Sequence, residues 1–134
     1  MDGALCLRAV FSATEVGALQ HAVEEELLNP GPYSKEFARP GEARFVGAIF
    51  VSSYNSTIRE VLINSELGEI AGKLMGARQT RFFFDHLLVK EPGASKPTPW
   101  HQDAPYFALE GLDCCGIWIA LDTVTPDTGA VEYL

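Results

Sequence analysis

Arg81-Phe-Phe-Phe-Asp-His-Leu-Leu-Val89 is the stretch on which the fold turns. Its aromatic and branched residues do not recur at three or four positions, so residues 81–89 are predicted to form a strand buried on much of both faces. The residues upstream behave differently. Ile58, Val61 and Leu62, and then Leu67, Ile70 and Leu74, do recur at helical spacing, which predicts two short helices over residues 57–64 and 65–75. Ser56 and Ser65 are placed to cap them, and Gly76 closes the second as a left-handed stop. Before these helices come an apolar piece at residues 45–51 and, at residues 33–41, a charged, Pro- and Gly-containing surface loop. The opening apolar residues 4–11 read as a strand. Ser12-Ala-Thr-Glu15 matches a capping box, with Phe11 and Val16 placed as a hydrophobic staple. A helix therefore starts near Ala13, carries Val16, Leu19, Ala22, Val23 and Leu27 as its apolar stripe, and ends at Asn29-Pro-Gly-Pro32.

Downstream of the decisive stretch, Glu91-Pro-Gly-Ala-Ser-Lys-Pro-Thr-Pro99 is a loop, Glu110-Gly111 a turn, residues 115–121 strand-like, and Pro126-Asp-Thr-Gly129 a second turn. Residues 130–134 open another strand. Helices first and antiparallel strands afterwards imply an α+β domain in which N-terminal helices pack on a β-sandwich or barrel. The apolar pattern breaks off at Val131-Glu-Tyr-Leu134, so residues 1–134 are expected to be one domain that forms the N-terminal portion of a longer one, with an exposed sheet edge.

The 134 residues are 47% hydrophobic, enough for a packed core and too much for disorder. A net charge of −8 has the wrong sign for neutralising phosphates, which argues against nucleic acid and anionic membranes as partners and favours a small molecule or a protein. Cys6, Cys114 and Cys115 are odd in number and lack metal-ligand spacing, so they read as reduced thiols of a cytoplasmic protein. No basic leader opens the chain, and no apolar run has the length of a membrane span.

The chemistry concentrates in Thr98-Pro-Trp-His-Gln-Asp103. On a strand, residues two apart point to one face, so His101 and Asp103 would present an imidazole nitrogen and a carboxylate oxygen to a common point. That donor pair is two-thirds of a facial triad and suits iron(II), leaving positions open for a co-substrate and oxygen. Pro99, Trp100, Tyr106 and Phe107 would wall the site from water. A His-x-Asp tripeptide also recurs by chance, and the bland alternative is a hydrogen-bonded histidine beside a solvated aspartate. Elsewhere, Asp85 among phenylalanines needs a partner, for which Arg81 and Arg44 are candidates. Cys114 and Cys115 read as packing residues, and Lys90 and Lys96 as surface cations that could meet an anionic substrate.

Four blocks then occur in order: Leu87-Leu-Val-Lys-Glu-Pro-Gly93, Thr98-Pro-Trp-His-Gln-Asp-Ala-Pro-Tyr-Phe107, Ile117-Trp-Ile-Ala-Leu-Asp122 and Thr128-Gly-Ala-Val-Glu-Tyr-Leu134. Together they resemble the phytanoyl-CoA dioxygenase family of iron(II)- and 2-oxoglutarate-dependent oxygenases. The resemblance implies a double-stranded β-helix, the cupin-like jelly roll, of which this chain would hold part. It implies that His101 and Asp103 are catalytic residues and the first two iron ligands, that Gln102 helps to bind 2-oxoglutarate, and that Leu87 and Trp118 line the co-substrate pocket. It also implies O2 and a small organic substrate, with ascorbate as a further possible cofactor. A carboxylate at position 103 resembles the hydroxylases rather than the halogenases, whose small residue leaves room for halide. Gln102 is the awkward member, because a strand residue between two ligands should face away from the metal. His86, beside Leu87, reads as a core or surface residue, since strand neighbours point to opposite faces.

The distal histidine and the co-substrate arginine of the family have no counterpart in these residues, so weak turnover or none is expected of the chain alone. Two alternatives stand beside the oxygenase reading: a non-catalytic binding module or pseudoenzyme of the same fold, and a cupin-like metalloenzyme that does not use 2-oxoglutarate. Nothing in the sequence selects the substrate or the oligomeric state.

Overall fold

A computed structural model describes residues 3–94, 97–111 and 113–133. Among these residues the architecture is mixed α+β, with three α-helices and a three-stranded antiparallel sheet. Helix α1 spans Ala13–Leu28, and its start is the expected capping box. Ser12 Oγ accepts the Glu15 N–H at 3.2 Å, and Glu15 Oε2 accepts the Ser12 N–H at 2.8 Å. These two bonds satisfy orphan donors of the first turn. The Ser12 hydroxyl, which donates to Glu15 Oε2 at 2.7 Å, and then the Ser12 N–H hold the Glu15 carboxyl below its usual range. Leu19, Ala22 and Glu26 form the buried face of α1.

The strands are β1 (Ser34–Glu36), β2 (Phe45–Ile49) and β3 (His86–Lys90), in the order β1-β2-β3. Ala48 pairs with Ser34 on one side and Leu87 on the other, while Ile49 pairs with His86. Two corrections follow. The loop expected over residues 33–41 contains β1, because the edge of β2 offers a ladder that local composition cannot reveal. The strand expected over residues 81–89 pairs only from His86, and its burial alternates instead of covering both faces. Val46, Ala48, Leu87 and Val89 share one face of the sheet, and Gly47, His86, Leu88 and Lys90 the other.

Helices α2 (Ser56–Asn64) and α3 (Leu67–Met75) lie between β2 and β3, so the order is not helices first. Asn55, rather than Ser56, caps α2, its Oδ1 accepting the Ile58 N–H at 3.0 Å. Ser65 terminates α2 instead of starting α3: its N–H donates to Val61 O at 3.1 Å and its hydroxyl to Leu62 O at 3.2 Å. Gly76 ends α3 with φ 65°, the left-handed stop anticipated from sequence. Leu19 and Ala22 of α1, Ala48 of β2, Val51 and Ile58 make one core, against which Val61, Leu62, Leu87 and Leu121 pack. This core holds α1 and α2 on one sheet face and leaves the face carrying His86 turned away from them.

The opening residues do not form the expected strand. Among the described residues the segment 4–11 has no ladder partner, and Leu5 is 65% exposed. Residues 115–121 and 130–133 likewise make no sheet pairing among the described residues. Their tie to the rest of the fold is Leu121, which packs on the core and whose carbonyl accepts Gln20 Nε2–H at 2.8 Å. Leu134, the last residue of the expected final strand, lies outside the described residues, as does Lys96. The described sheet is thus compatible with part of a cupin-like fold, while a complete jelly roll is not among the described residues. No helix among them is long and apolar enough to cross a membrane.

Candidate metal site

Asp85, at the approach to β3, contacts neither Arg81 nor Arg44. Its Oδ2 accepts the Val51 N–H at 2.7 Å, and its Oδ1 accepts the Ser52 N–H at 3.1 Å and the Ser52 hydroxyl. The carboxylate is used on the amides of the 3-10 turn Val51–Ser53, while Arg44 faces Glu36 at 3.2 Å and Glu91 at 3.9 Å. Backbone donors within the fold outcompete a solvated guanidinium because they are already fixed in place. The arrangement anchors the start of β3 against Phe50, whose N–H donates to Asp85 O at 3.0 Å. Phe50 adopts the left-handed conformation with φ 56°, and its ring meets Tyr33 and Phe84 at centroid distances of 5.9 and 5.6 Å.

From Phe84 an aromatic cluster continues to Phe83 at 5.2 Å and Phe107 at 5.3 Å, and Phe83 also meets Phe107 at 5.9 Å. Phe107 therefore belongs to an aromatic cluster. Its partners come from residues 83 and 84, whose role the linear motif gives no sign of. Trp100 and Tyr106 are largely exposed, with Tyr106 set edge-on to the His101 ring at 6.0 Å.

His101 and Asp103 come together, by a route different from the expected strand. Asp103 has helical angles, φ −71° and ψ −37°, and leads into the 3-10 turn Ala104–Tyr106, where Pro105 fixes the backbone. Tyr106 N–H donates to Asp103 O at 2.9 Å, closing the turn. His101 Nδ1 lies 2.7 Å from Pro99 O. A carbonyl only accepts, so Nδ1 carries a hydrogen, which leaves Nε2 as the ring nitrogen that a metal ion would take. That Nε2 lies 3.2 Å from Asp103 Oδ1, and both side chains are open to solvent. Two donors about 2.1 Å from one ion and at right angles are about 3 Å apart, so the pair fits adjacent coordination positions. An imidazole whose other nitrogen is held by a carbonyl is also the usual support of a metal ligand.

The other residues singled out from sequence lie apart from this pair. Gln102 is exposed, and its side chain has no hydrogen bond among the described residues. Trp118 is 50% exposed. Leu87 packs against the core on the helix side of the sheet. His86 projects from the opposite face, where Asp103 is the stronger of two carboxylate charges acting on it. Loss of water lowers its pKa, while the carboxylates of Asp103 and then Asp85 oppose that shift. A Cβ built on Gly116 would stand 3.7 Å from Asp103 Oδ2, which puts the backbone of residues 115–117 beside the carboxylate. Surface hollows along α3, lined by residues between Gly68 and Thr80, include none of these side chains. Among the described residues no third His, Cys, Asp or Glu completes a metal-holding group.

Helices on one side of an antiparallel sheet, with a convergent imidazole and carboxylate outside it, define an α+β protein with a candidate metal site. The profile described as Phytanoyl-CoA dioxygenase (PhyH) matches residues 1–134, the whole chain, and the chain belongs to that family. Membership indicates an oxygenase-type enzyme. No curated protein and no solved structure matches it.

Proposed function

We propose that this chain serves an iron(II)- and 2-oxoglutarate-dependent oxygenase that hydroxylates a small organic substrate, with His101 and Asp103 as two of its metal ligands. The observation that carries the reading is the convergence of His101 Nε2 and Asp103 Oδ1 at 3.2 Å, with Nδ1 tied to Pro99 O. Bound iron and 2-oxoglutarate would supply the oxygen-activating chemistry. The chain's own residues hold and surround them. The Pro99 carbonyl sets the imidazole tautomer and orientation. The Asp103 carboxylate provides a hard anionic donor and fills the position that a hydroxylase reserves for one. Phe83, Phe84 and Phe107 supply an apolar surface that limits water. Gln102, Leu87 and Trp118 are assigned to the co-substrate pocket on the strength of the family blocks.

The reading gives this chain two of the protein ligands. Free, exposed Cys6, Cys114 and Cys115 support a reducing, cytoplasmic setting, and the charge of −8 supports a small-molecule substrate over nucleic acid. Anaerobic titration of the chain with ferrous ion and then 2-oxoglutarate tests the proposal. A visible absorption band is expected from the ternary complex, lost in His101→Ala and Asp103→Ala. Iron binding that survives both substitutions would sink it. Iron binding without any spectral response to 2-oxoglutarate would favour the cupin-like metalloenzyme.

A further inference from the structure

Residues 115–121 make no sheet pairing among the described residues, yet they pass directly beside the turn that carries Asp103. Leu121 fixes the far end of this segment, packing on the core and accepting Gln20 Nε2–H at 2.8 Å. Gly116 is the residue at the near end. A chain needs glycine where φ is positive or where another group comes close. Gly116 does not take a positive φ, unlike Gly111 and Gly129 on either side of it, so its backbone would accept any residue. What a side chain there would meet is a single atom. A Cβ on Gly116 would stand 3.7 Å from Asp103 Oδ2, with no other atom of the described residues beyond its chain neighbours within 4 Å. The other carboxylate oxygen, Oδ1, is the one 3.2 Å from His101 Nε2. One oxygen of Asp103 therefore adjoins the imidazole, and its second adjoins a bare α-carbon. At 3.7 Å a methyl group would only touch that oxygen. A branched side chain reaches past its own Cβ, so it would crowd the carboxylate and cover a charged oxygen without offering a donor.

We propose that Gly116 is a positioning residue of the metal site: with no side chain there, the Asp103 carboxylate is free to turn Oδ1 to a metal ion shared with His101. The inference rests on the assignment of His101 and Asp103 as ligands. It gives a role to a residue outside the His-x-Asp motif and accounts for glycine at a position whose backbone does not require it.

The test is Co(II) titration of the 134-residue chain, followed by visible absorption, with thermal midpoints measured alongside. Gly116→Ala is expected to bind like the wild type, and Gly116→Val roughly tenfold more weakly. Gly116→Thr has the shape of the valine variant but carries a hydroxyl that can donate to Oδ2, so it is expected to recover most of that loss. A role in packing alone would leave the threonine and valine variants equal. Gly116→Val binding like the wild type, or Gly116→Thr binding no better than Gly116→Val, overturns this inference alone, provided that Asp103→Ala abolishes binding. Equal binding by Asp103→Ala and wild type, or no binding by either, overturns the ligand assignment and this inference with it. A second measurement does not depend on any variant at position 116 folding. In 15N NMR with Zn(II), the Gly116 amide signal is expected to shift together with those of His101 and Asp103, and Asp103→Asn to abolish its shift. A Gly116 signal that stays in place while those of His101 and Asp103 move would overturn the proposal.

Discussion

Asp85 Oδ1 accepts both the backbone N–H of Ser52, at 3.1 Å, and its hydroxyl. With the Val51 N–H on Oδ2 at 2.7 Å, one carboxylate satisfies the amides of the 3-10 turn that joins β2 to α2 and fixes where β3 begins. Val51 and Ser52 are both buried, so water cannot easily replace it. Asp85→Ala is expected to cost about 2–3 kcal/mol, the range for hydrogen bonds to a charged group left unmade. Asp85→Asn should cost less, because one acceptor oxygen remains. Urea denaturation of the two variants checks the order.

Gly47 lies at the centre of β2, between Lys35 and Leu88. A Cβ there would meet the Phe37 ring at 2.6 Å, so Gly47→Ala forces that ring to move and is expected to destabilise by about 1–3 kcal/mol. Adding Phe37→Ala should recover part of the loss, since the collision is then removed. A double-mutant cycle in urea measures the coupling, and purely additive costs would contradict the steric account.

Glu26 is 4% exposed and accepts the Gly31 N–H at 2.8 Å and the Tyr54 hydroxyl at 3.1 Å. Lost solvation and the adjacent carboxylate push the Tyr54 pKa up to about 12. A raised phenol pKa means that the folded state favours the protonated form. Its contribution to stability is therefore present below the unfolded tyrosine value and is lost as pH rises from about 10 towards 12. Spectrophotometric titration should show one tyrosine ionising last, and Tyr54→Phe should remove that phase.

His86 carries the opposite sign. Lost solvation lowers its pKa, so folding disfavours the protonated ring, and the chain is expected to lose stability as pH falls from the unfolded histidine value through the folded one. His86→Gln should flatten this acid-side slope in denaturation curves measured from pH 7.5 downwards. Asp103→Asn should lower the His86 pKa further, because it removes the stronger of the two charges that oppose the shift. A rise in that pKa by NMR titration would contradict the account.

The sequence by itself determined what depends on residues three or four apart. Ser12 and Glu15 announce α1, Ile58 with Val61 and Leu62 announce α2, and Gly76 marks where α3 stops, because caps, stripes and left-handed stops act within a turn or two of chain. The His101–Asp103 pair is legible for the same reason, as are the family blocks around it. Only the tertiary structure decided which edge pairs with β1, since a ladder partner lies outside the strand that uses it. It also decided that Asp85 serves Val51 and Ser52 rather than an arginine, and that Leu87 turns to the core while His86 turns away. Both outcomes follow from the docking of β3 against β2 and the helices, which no local pattern encodes. The geometry of His101 and Asp103 came from a proline-containing turn held by the Asp103 and Pro99 carbonyls. Two residues apart in sequence are brought side by side there by backbone hydrogen bonds, without the ladder that a strand requires.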